Sequence, residues 1–263
     1  MKPFIKWAGG KRWLTDHELL VRPTFSGKYI EPFLGGAAMY FHLRPIASVL
    51  SDLNSRLIET YQAIRANPLP CQELLKEHHE RHCKDYYYEV RDTEFASLPD
   101  RAAQFLYLNR TCWNGLYREN LAGKFNVPIG TKSLVFDPNE DFSAISALLQ
   151  NAEISCGDFE ITMDKAEEGD FVFCDPPYTT AHNMNGFVKY NQHIFSWDDQ
   201  VRLRDAASRA MERGATVVVT NADHPSLHSL YANAGKINVV QRSSVISGIS
   251  KGRRMTSEIL VTL

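Results

Sequence analysis

Asp175-Pro176-Pro177-Tyr178 follows the apolar run Phe171-Val172-Phe173-Cys174. A carboxylate, two prolines and an aromatic ring are thereby expected at the C-terminal mouth of a buried strand, where open α/β sheets bind ligands. Proline fixes φ and lacks an amide hydrogen, so Pro176 and Pro177 hold the turn extended and leave its carbonyls without local donors. Asp175 and the Pro176 carbonyl can then accept both hydrogens of one planar amino group while Tyr178 stacks on the ring that carries it. A nucleobase amine has this shape. Taken alone, the block also reads as a strand ending in a plain Asp-Pro-Pro turn.

The elements that must position this block begin near the N-terminus. Residues 28–33 read as a strand opening into Leu34-Gly35-Gly36, residues 37–43 as a helix stopped by Pro45, and residues 47–50 as a strand ending at Ser51-Asp52. Glycines let the backbone approach a ligand closely, and an acid ending the next strand is placed to accept from ribose hydroxyls. A nucleoside site is implied, although Asp52 or Asn54 can equally cap the following helix, which carries Leu57, Ile58, Tyr61 and Ile64. The glycine spacing is not Gly-x-Gly-x-x-Gly, which disfavours a dinucleotide. Ala8-Gly9-Gly10-Lys11-Arg12 is no phosphate loop either, because Ile5 replaces its first glycine and Arg12 its Ser or Thr. Trp7 and Lys11 are left as a stacking face and a cation for a ligand carboxylate, or as a buried indole and a solvated amine.

Residues 54–150 turn to helices and irregular segments, too long for a connection, and read as an inserted subdomain between the two parts of a catalytic domain at 1–53 and 151–263. Asn109 to Asn120 is rich in amide, guanidinium and aromatic groups, among them Arg110, Trp113, Asn114, Leu116 and Arg118, and it continues through Phe125-Asn126-Val127-Pro128. Arg and Asn read base edges bidentately and an aromatic can wedge between bases, so this stretch suits base readout. His78, His79, His82 and Cys83 lack a complete metal-ligand pattern, and no metal is expected. Beyond the Pro-Pro block, residues 179–193 read as a mobile polar loop. Ser196 to Asp199 forms a capping box opening a helix that Gly214 ends, and residues 216–220, 237–241 and 258–263 read as strands.

At 263 residues, with 44% hydrophobic and 23% charged residues, the chain is long enough for one large α/β domain with an insertion. The five scattered cysteines point to reduced thiols. With no apolar signal region and no run of membrane-spanning length, a cytoplasmic protein is expected. The net charge is −2, but Lys236, Arg242, Lys251, Arg253 and Arg254 form a stretch without acids, and Arg101 to Lys132 contains only Glu119 against five cations. Local basic segments of this kind attract a polyanion.

In order, Lys6-Trp7-Ala8-Gly9-Gly10-Lys11, Glu31-Pro32-Phe33-Leu34-Gly35-Gly36, the insertion through Phe125-Asn126-Val127-Pro128, and Asp175-Pro176-Pro177-Tyr178 resemble the blocks of Dam-type, alpha-group DNA adenine N6-methyltransferases along nearly the whole chain. The resemblance implies a Rossmann-like α/β methyltransferase sheet with a mainly helical target-recognition insertion. It implies S-adenosylmethionine as cofactor, contacted by Trp7, Lys11, Glu31, Phe33, Gly35, Gly36, Asp52, Asp158, Phe159 and Asp175, with Asp175, Pro176, Pro177 and Tyr178 catalytic. It implies double-stranded DNA as partner, met by Arg110, Trp113, Asn114, Leu116, Arg118 and Asn126, with Lys251 and Arg253 on phosphates, and the target base out of the helix. GATC or another GAT-containing site follows by analogy. A cognate restriction endonuclease and a monomeric or weakly dimeric state stay open, as do an RNA substrate and a non-catalytic regulator on the same scaffold. Ala37, Trp113 and Ile129 depart from the family pattern, where a third glycine, Tyr or Phe, and Phe are common.

Overall fold

The computed structural model describes residues 1–16, 23–120, 122–180, 195–243 and 255–263. Its strands are β1 (Tyr29–Glu31), β2 (Ser48–Asp52), β3 (Ala152–Cys156), β4 (Phe171–Cys174), β5 (Thr216–Ala222), β6 (Lys236–Ser243) and β7 (Met255–Thr262), in the sheet order β3-β2-β1-β4-β5-β7-β6. β1 runs parallel to β2 and β4, β4 runs parallel to β5, and β7 is antiparallel to β5 and β6. This is the expected α/β class: a mostly parallel sheet with helices.

The chain divides into two compact units. One comprises His17–Leu34, Ala47–Ser51 and Gly157–Leu263. In it β4 is buried along its whole length, as a strand flanked by β1 and β5 must be. Among the helices of this unit is α8 (Trp197–Glu212), labelled in chain order after α1 (Ala38–Leu43), α2 (Ser55–Ala66), α3 (Pro68–Arg81), α4 (Lys84–Asp92), α5 (Leu98–Thr111), α6 (Phe142–Leu149) and α7 (Phe159–Met163). The Ser196–Asp199 capping box opens α8 as the sequence indicates, and Leu203, Ala206, Ala207 and Ala210 bury its inner face in a core shared with Val172, Cys174, Val217 and Val219. Burying Leu203 alone is worth about 1.5–3 kcal/mol.

The other unit comprises Met1–Asp16, Gly35–Ile46 and Asp52–Cys156. The contacts thus do not divide the chain at 53/54 and 150/151, because the N-terminal segment packs with the helices of the insertion. Phe4 meets the rings of Phe41, Tyr61 and Phe142, and Asn109 brackets Lys6 by accepting from its amide at 2.9 Å and donating to its carbonyl at 2.7 Å. Asn54, not Asp52, caps α2, accepting from the Leu57 amide. His78 of α3 and its C-cap His82 are satisfied by tyrosines: His78 by Tyr86 at 2.7 Å and His82 by Tyr107 at 2.9 Å. No group of three or more metal-ligating side chains occurs among the described residues.

Candidate active site

Because Asn54 takes the capping role, the Asp52 carboxylate is released for the glycine turn. Its Oδ2 accepts from the Gly35 amide at 2.9 Å and its Oδ1 from the Asn54 amide at 3.0 Å. Burial raises the Asp52 pKa, and these amides pull against that shift. Gly35 has φ +46°, and a Cβ there would sit 2.7 Å from Cδ1 of the Trp7 indole. Only glycine meets both demands. Tyr61 Oη closes the turn by donating to the Gly35 carbonyl at 3.0 Å. Trp7, Gly35 and Asp52 are therefore brought together, with Gly36 beside the Trp7 backbone. Lys11 lies apart from solvent, its Nζ donating to the Gly9 carbonyl at 2.8 Å, so it is neither the solvated amine nor a free cation.

In the other unit, Asp175 follows the last residue of β4. Thr220 of β5 donates to Asp175 Oδ1 at 2.6 Å and fixes the side chain's rotamer. Tyr178 donates to Glu258 Oε2 at 2.6 Å; burial first, then Asp175 and Glu258, keeps this phenol protonated far above its usual range. Pro176 is buried and Pro177 half-buried. Glu31 is buried at the end of β1 beside Tyr29, whose phenol pKa is raised by burial and by Glu31. Phe33 stacks on Phe159 at 5.3 Å and meets Phe195 edge-on at 5.6 Å. Asp158 caps α7 through the Glu160 amide and pairs with Arg202, both at 2.9 Å; the same guanidinium reaches Glu160 and Asp199 and lies over the Phe159 ring. Phe159 itself is a core residue, so its ring is occupied by protein.

The insertion's stretch from Trp113 to Phe125 is a turn followed by a small antiparallel pairing of Glu119 with Phe125. Trp113 is 53% exposed, an unusual state for an indole, and Asn114 beside it is exposed with a left-handed backbone (φ 56°). Leu116 is half-buried. Arg118 Nε donates to Asn126 Oδ1 at 2.7 Å, so these two residues meet across the pairing, with Arg118 exposed on the surface. Arg110 is placed differently from Arg118. It lies in the last turn of α5 with its guanidinium turned inward, donating to the Val135 carbonyl at 2.7 Å and the Phe4 carbonyl at 3.3 Å, and paired with Glu140 at 2.7 Å. Three contacts within the fold thus engage its guanidinium, the arrangement of a structural arginine. Lys251, Arg253 and most of the polar 179–193 loop lie outside the described residues.

Residues 7–245 match the family described as D12 class N6 adenine-specific DNA methyltransferase. The chain belongs to that class. Over 271 residues it is 36% identical to a Lactococcus lactis subsp. cremoris protein named Type II methyltransferase M1.LlaDCHI, covering all of this chain and 95% of the relative. It is 32% identical over 265 residues to the DNA adenine methylase of Escherichia coli K12, covering 98% of this chain and 94% of the relative. It is 36% identical over 242 residues to the DNA N-6-adenine-methyltransferase of Escherichia phage P1, covering 89% of this chain and 31% of that protein. The protein is thus an adenine-specific DNA methyltransferase, and its reaction draws on a methyl donor.

Three residues of this D12-class enzyme escaped sequence reasoning. Thr220 closes a Val217-Val218-Val219 run and Glu258 opens an apolar C-terminal run. A buried polar residue inside such a strand is the signal that marks them. Tyr117 stacks on Trp7 at 5.6 Å, meets Phe105 at a tilt at 5.3 Å and bonds Glu119, which ties the Trp113–Gly115 turn to the segment that carries Trp7. Nothing in its sequence neighbourhood announces that partner.

Proposed function

We propose that the methyl donor is S-adenosylmethionine and that the enzyme methylates a flipped adenine in duplex DNA at GATC or another GAT-containing site. The observation that carries this reading is Asp175, held by Thr220 at 2.6 Å and followed by the two prolines, with Tyr178 braced behind it. The adenine amine has its lone pair delocalised into the ring. By accepting its hydrogens, Asp175 and the Pro176 carbonyl draw the nitrogen toward a tetrahedral, nucleophilic form, and the Asp175 charge stabilises the positive charge that develops there. Positioning and electrostatics of this kind supply much of an enzyme's acceleration.

Asp52 fits the donor's ribose: with each oxygen already bonded to one backbone amide, it keeps lone pairs for vicinal hydroxyls. Trp7, Lys11, Glu31, Phe33, Gly35, Gly36, Asp158 and Phe159 are assigned to the donor with it, Asp158 through what its Arg202 pairing leaves free and Phe159 through its backbone. When bound, S-adenosylmethionine supplies a methyl group already activated on a sulfonium. Extruding the base costs on the order of a few kcal/mol, which stacking on Tyr178 and a wedge from the exposed Trp113 offset. Asn114, Leu116, Arg118 and Asn126 read the site, and the basic stretch with Lys251 and Arg253 meets phosphates. A cytoplasmic setting follows from such a substrate. The Type II names of the Lactococcus lactis relative and of a Methanocaldococcus jannaschii relative favour a cognate endonuclease as partner. Mapping modified adenines in the genome of a methylation-deficient bacterium that expresses the enzyme tests the reading. Modification confined to one GAT-containing sequence is expected, and modification at another base or at unrelated sequences contradicts it.

A further inference from the structure

Glu258 is a carboxylate placed where strands carry apolar side chains. It lies on β7 opposite Ala222 of β5 and Val240 of β6, and only 4% of it is exposed. Its successors Ile259 and Val261 belong to the hydrophobic core with Val172, Cys174, Val217 and Val219. Side chains alternate between the faces of a strand, so Glu258 projects from the opposite face. Directly paired residues share a face, which puts Thr220 (opposite Leu260) and Ala222 (opposite Glu258) on that side as well. Asp175 takes its hydrogen bond from Thr220 there, and Tyr178 gives its own to Glu258. Withdrawing a carboxylate from water is costly unless hydrogen bonds compensate it. A sheet of this kind gains nothing in packing from a carboxyl group, so the position makes sense through what its oxygen holds. It holds the phenol of a half-buried ring that follows Asp175 by three residues.

We propose that Glu258 is a positioning residue for base capture. Its Oε2 anchors the Tyr178 hydroxyl and thereby fixes the plane of the ring that receives the target adenine. Thr220 does for the Asp175 carboxylate what Glu258 does for the ring, so β5 and β7 together orient the two groups that meet the base. Glu258 touches neither base nor donor; it acts through Tyr178. The inference rests on the reading that Tyr178 stacks on the flipped adenine.

The test uses the full-length enzyme, the duplex identified by adenine mapping, and the same duplex with 2-aminopurine at the target position, whose emission reports stacking. Glu258→Ala and Tyr178→Phe should each lower kcat/KM by roughly 10-fold or more, the scale of a misaligned reacting partner, and raise the emission of bound 2-aminopurine. Donor affinity, measured by calorimetry without DNA, should stay at the wild-type value. The double variant should be no worse than either single one, and Glu258→Gln, which retains an acceptor, should recover most of the rate. Wild-type emission and rate in Glu258→Ala, or defects that multiply in the double variant, overturn the proposal. If Glu258→Ala does not fold, Tyr178→Phe decides with Glu258→Gln: a defect in the first that the second lacks supports the proposal, and wild-type behaviour of Tyr178→Phe overturns it. Tyr178→Ala separates the two readings. If it leaves 2-aminopurine emission unchanged, the stacking assignment fails; if it changes emission while Glu258→Ala does not, only the role of Glu258 fails.

Discussion

Asp52 and Asp175 lie at the ends of two parallel strands, yet they are held in opposite ways. Asp52 is gripped by main-chain amides, from Gly35 seventeen residues before it and from Asn54 two residues after it. Asp175 is held by a side-chain hydroxyl, that of Thr220, 45 residues later on another strand. Amides grip a carboxylate whatever side chains surround it and suit a fixed binding group. A single hydroxyl from another strand sets the rotamer, which suits the meeting with a reacting amine proposed for Asp175. The two regions should therefore fail differently when cut.

The largest effect belongs to Asp175. Asp175→Asn should lower kcat by roughly 100-fold or more, the order lost with one preorganised electrostatic contact, while calorimetric donor affinity and the melting temperature change little. Weaker donor binding with turnover preserved would merge the two carboxylates into one role. Asp52→Ala should do the reverse, weakening S-adenosylmethionine binding by about 1.5–3 kcal/mol with kcat at saturating donor retained. The same carboxylate carries a pH signature. Burial raises its pKa, so it loses its charge at a higher pH than an ordinary aspartate as the solution is acidified. Donor affinity should fall with decreasing pH through that value, and titrations of Asp52→Asn over the same range should lack the step.

The smallest effect sharpens a parallel contrast between two arginines eight residues apart. Arg118 is exposed and braced by Asn126, whereas Arg110 is turned inward onto Glu140 and two carbonyls. Arg118→Ala should cost about 1–3 kcal/mol on the preferred site and relax discrimination at one base pair. Rates on duplexes altered one base at a time check this. A uniform loss at every sequence would make Arg118 a phosphate contact.

These contrasts also explain what the sequence could and could not disclose. β4, β5 and α8 were legible because their signals are contiguous: buried valine and phenylalanine runs, and a capping box ahead of a helical stripe. β3 was not, since Ala152–Cys156 lacks a continuous apolar run and puts Glu153 outward, and neither was α7, whose five residues are too few to show a period. The Asp175 block was legible as a string of residues. Its supports were not, because Thr220 and Glu258 lie 45 and 80 residues away and are brought in only by strand order. Arg110 looked like Arg118 because a count of charges does not say which side of a helix faces inward. The division at residues 53 and 150 followed composition, whereas packing joins Phe4 and Lys6 to the helices of the insertion.

The most direct measurement follows a label. S-adenosylmethionine carrying a deuterated methyl group is incubated with the enzyme and duplex DNA, and the nucleosides are resolved by mass spectrometry, with Asp175→Asn run in parallel. The account predicts labelled N6-methyladenine from the wild-type enzyme and a yield at least about 100-fold lower in initial rate from the variant. Label on another base, no label in DNA, or equal rates from the two proteins would contradict it.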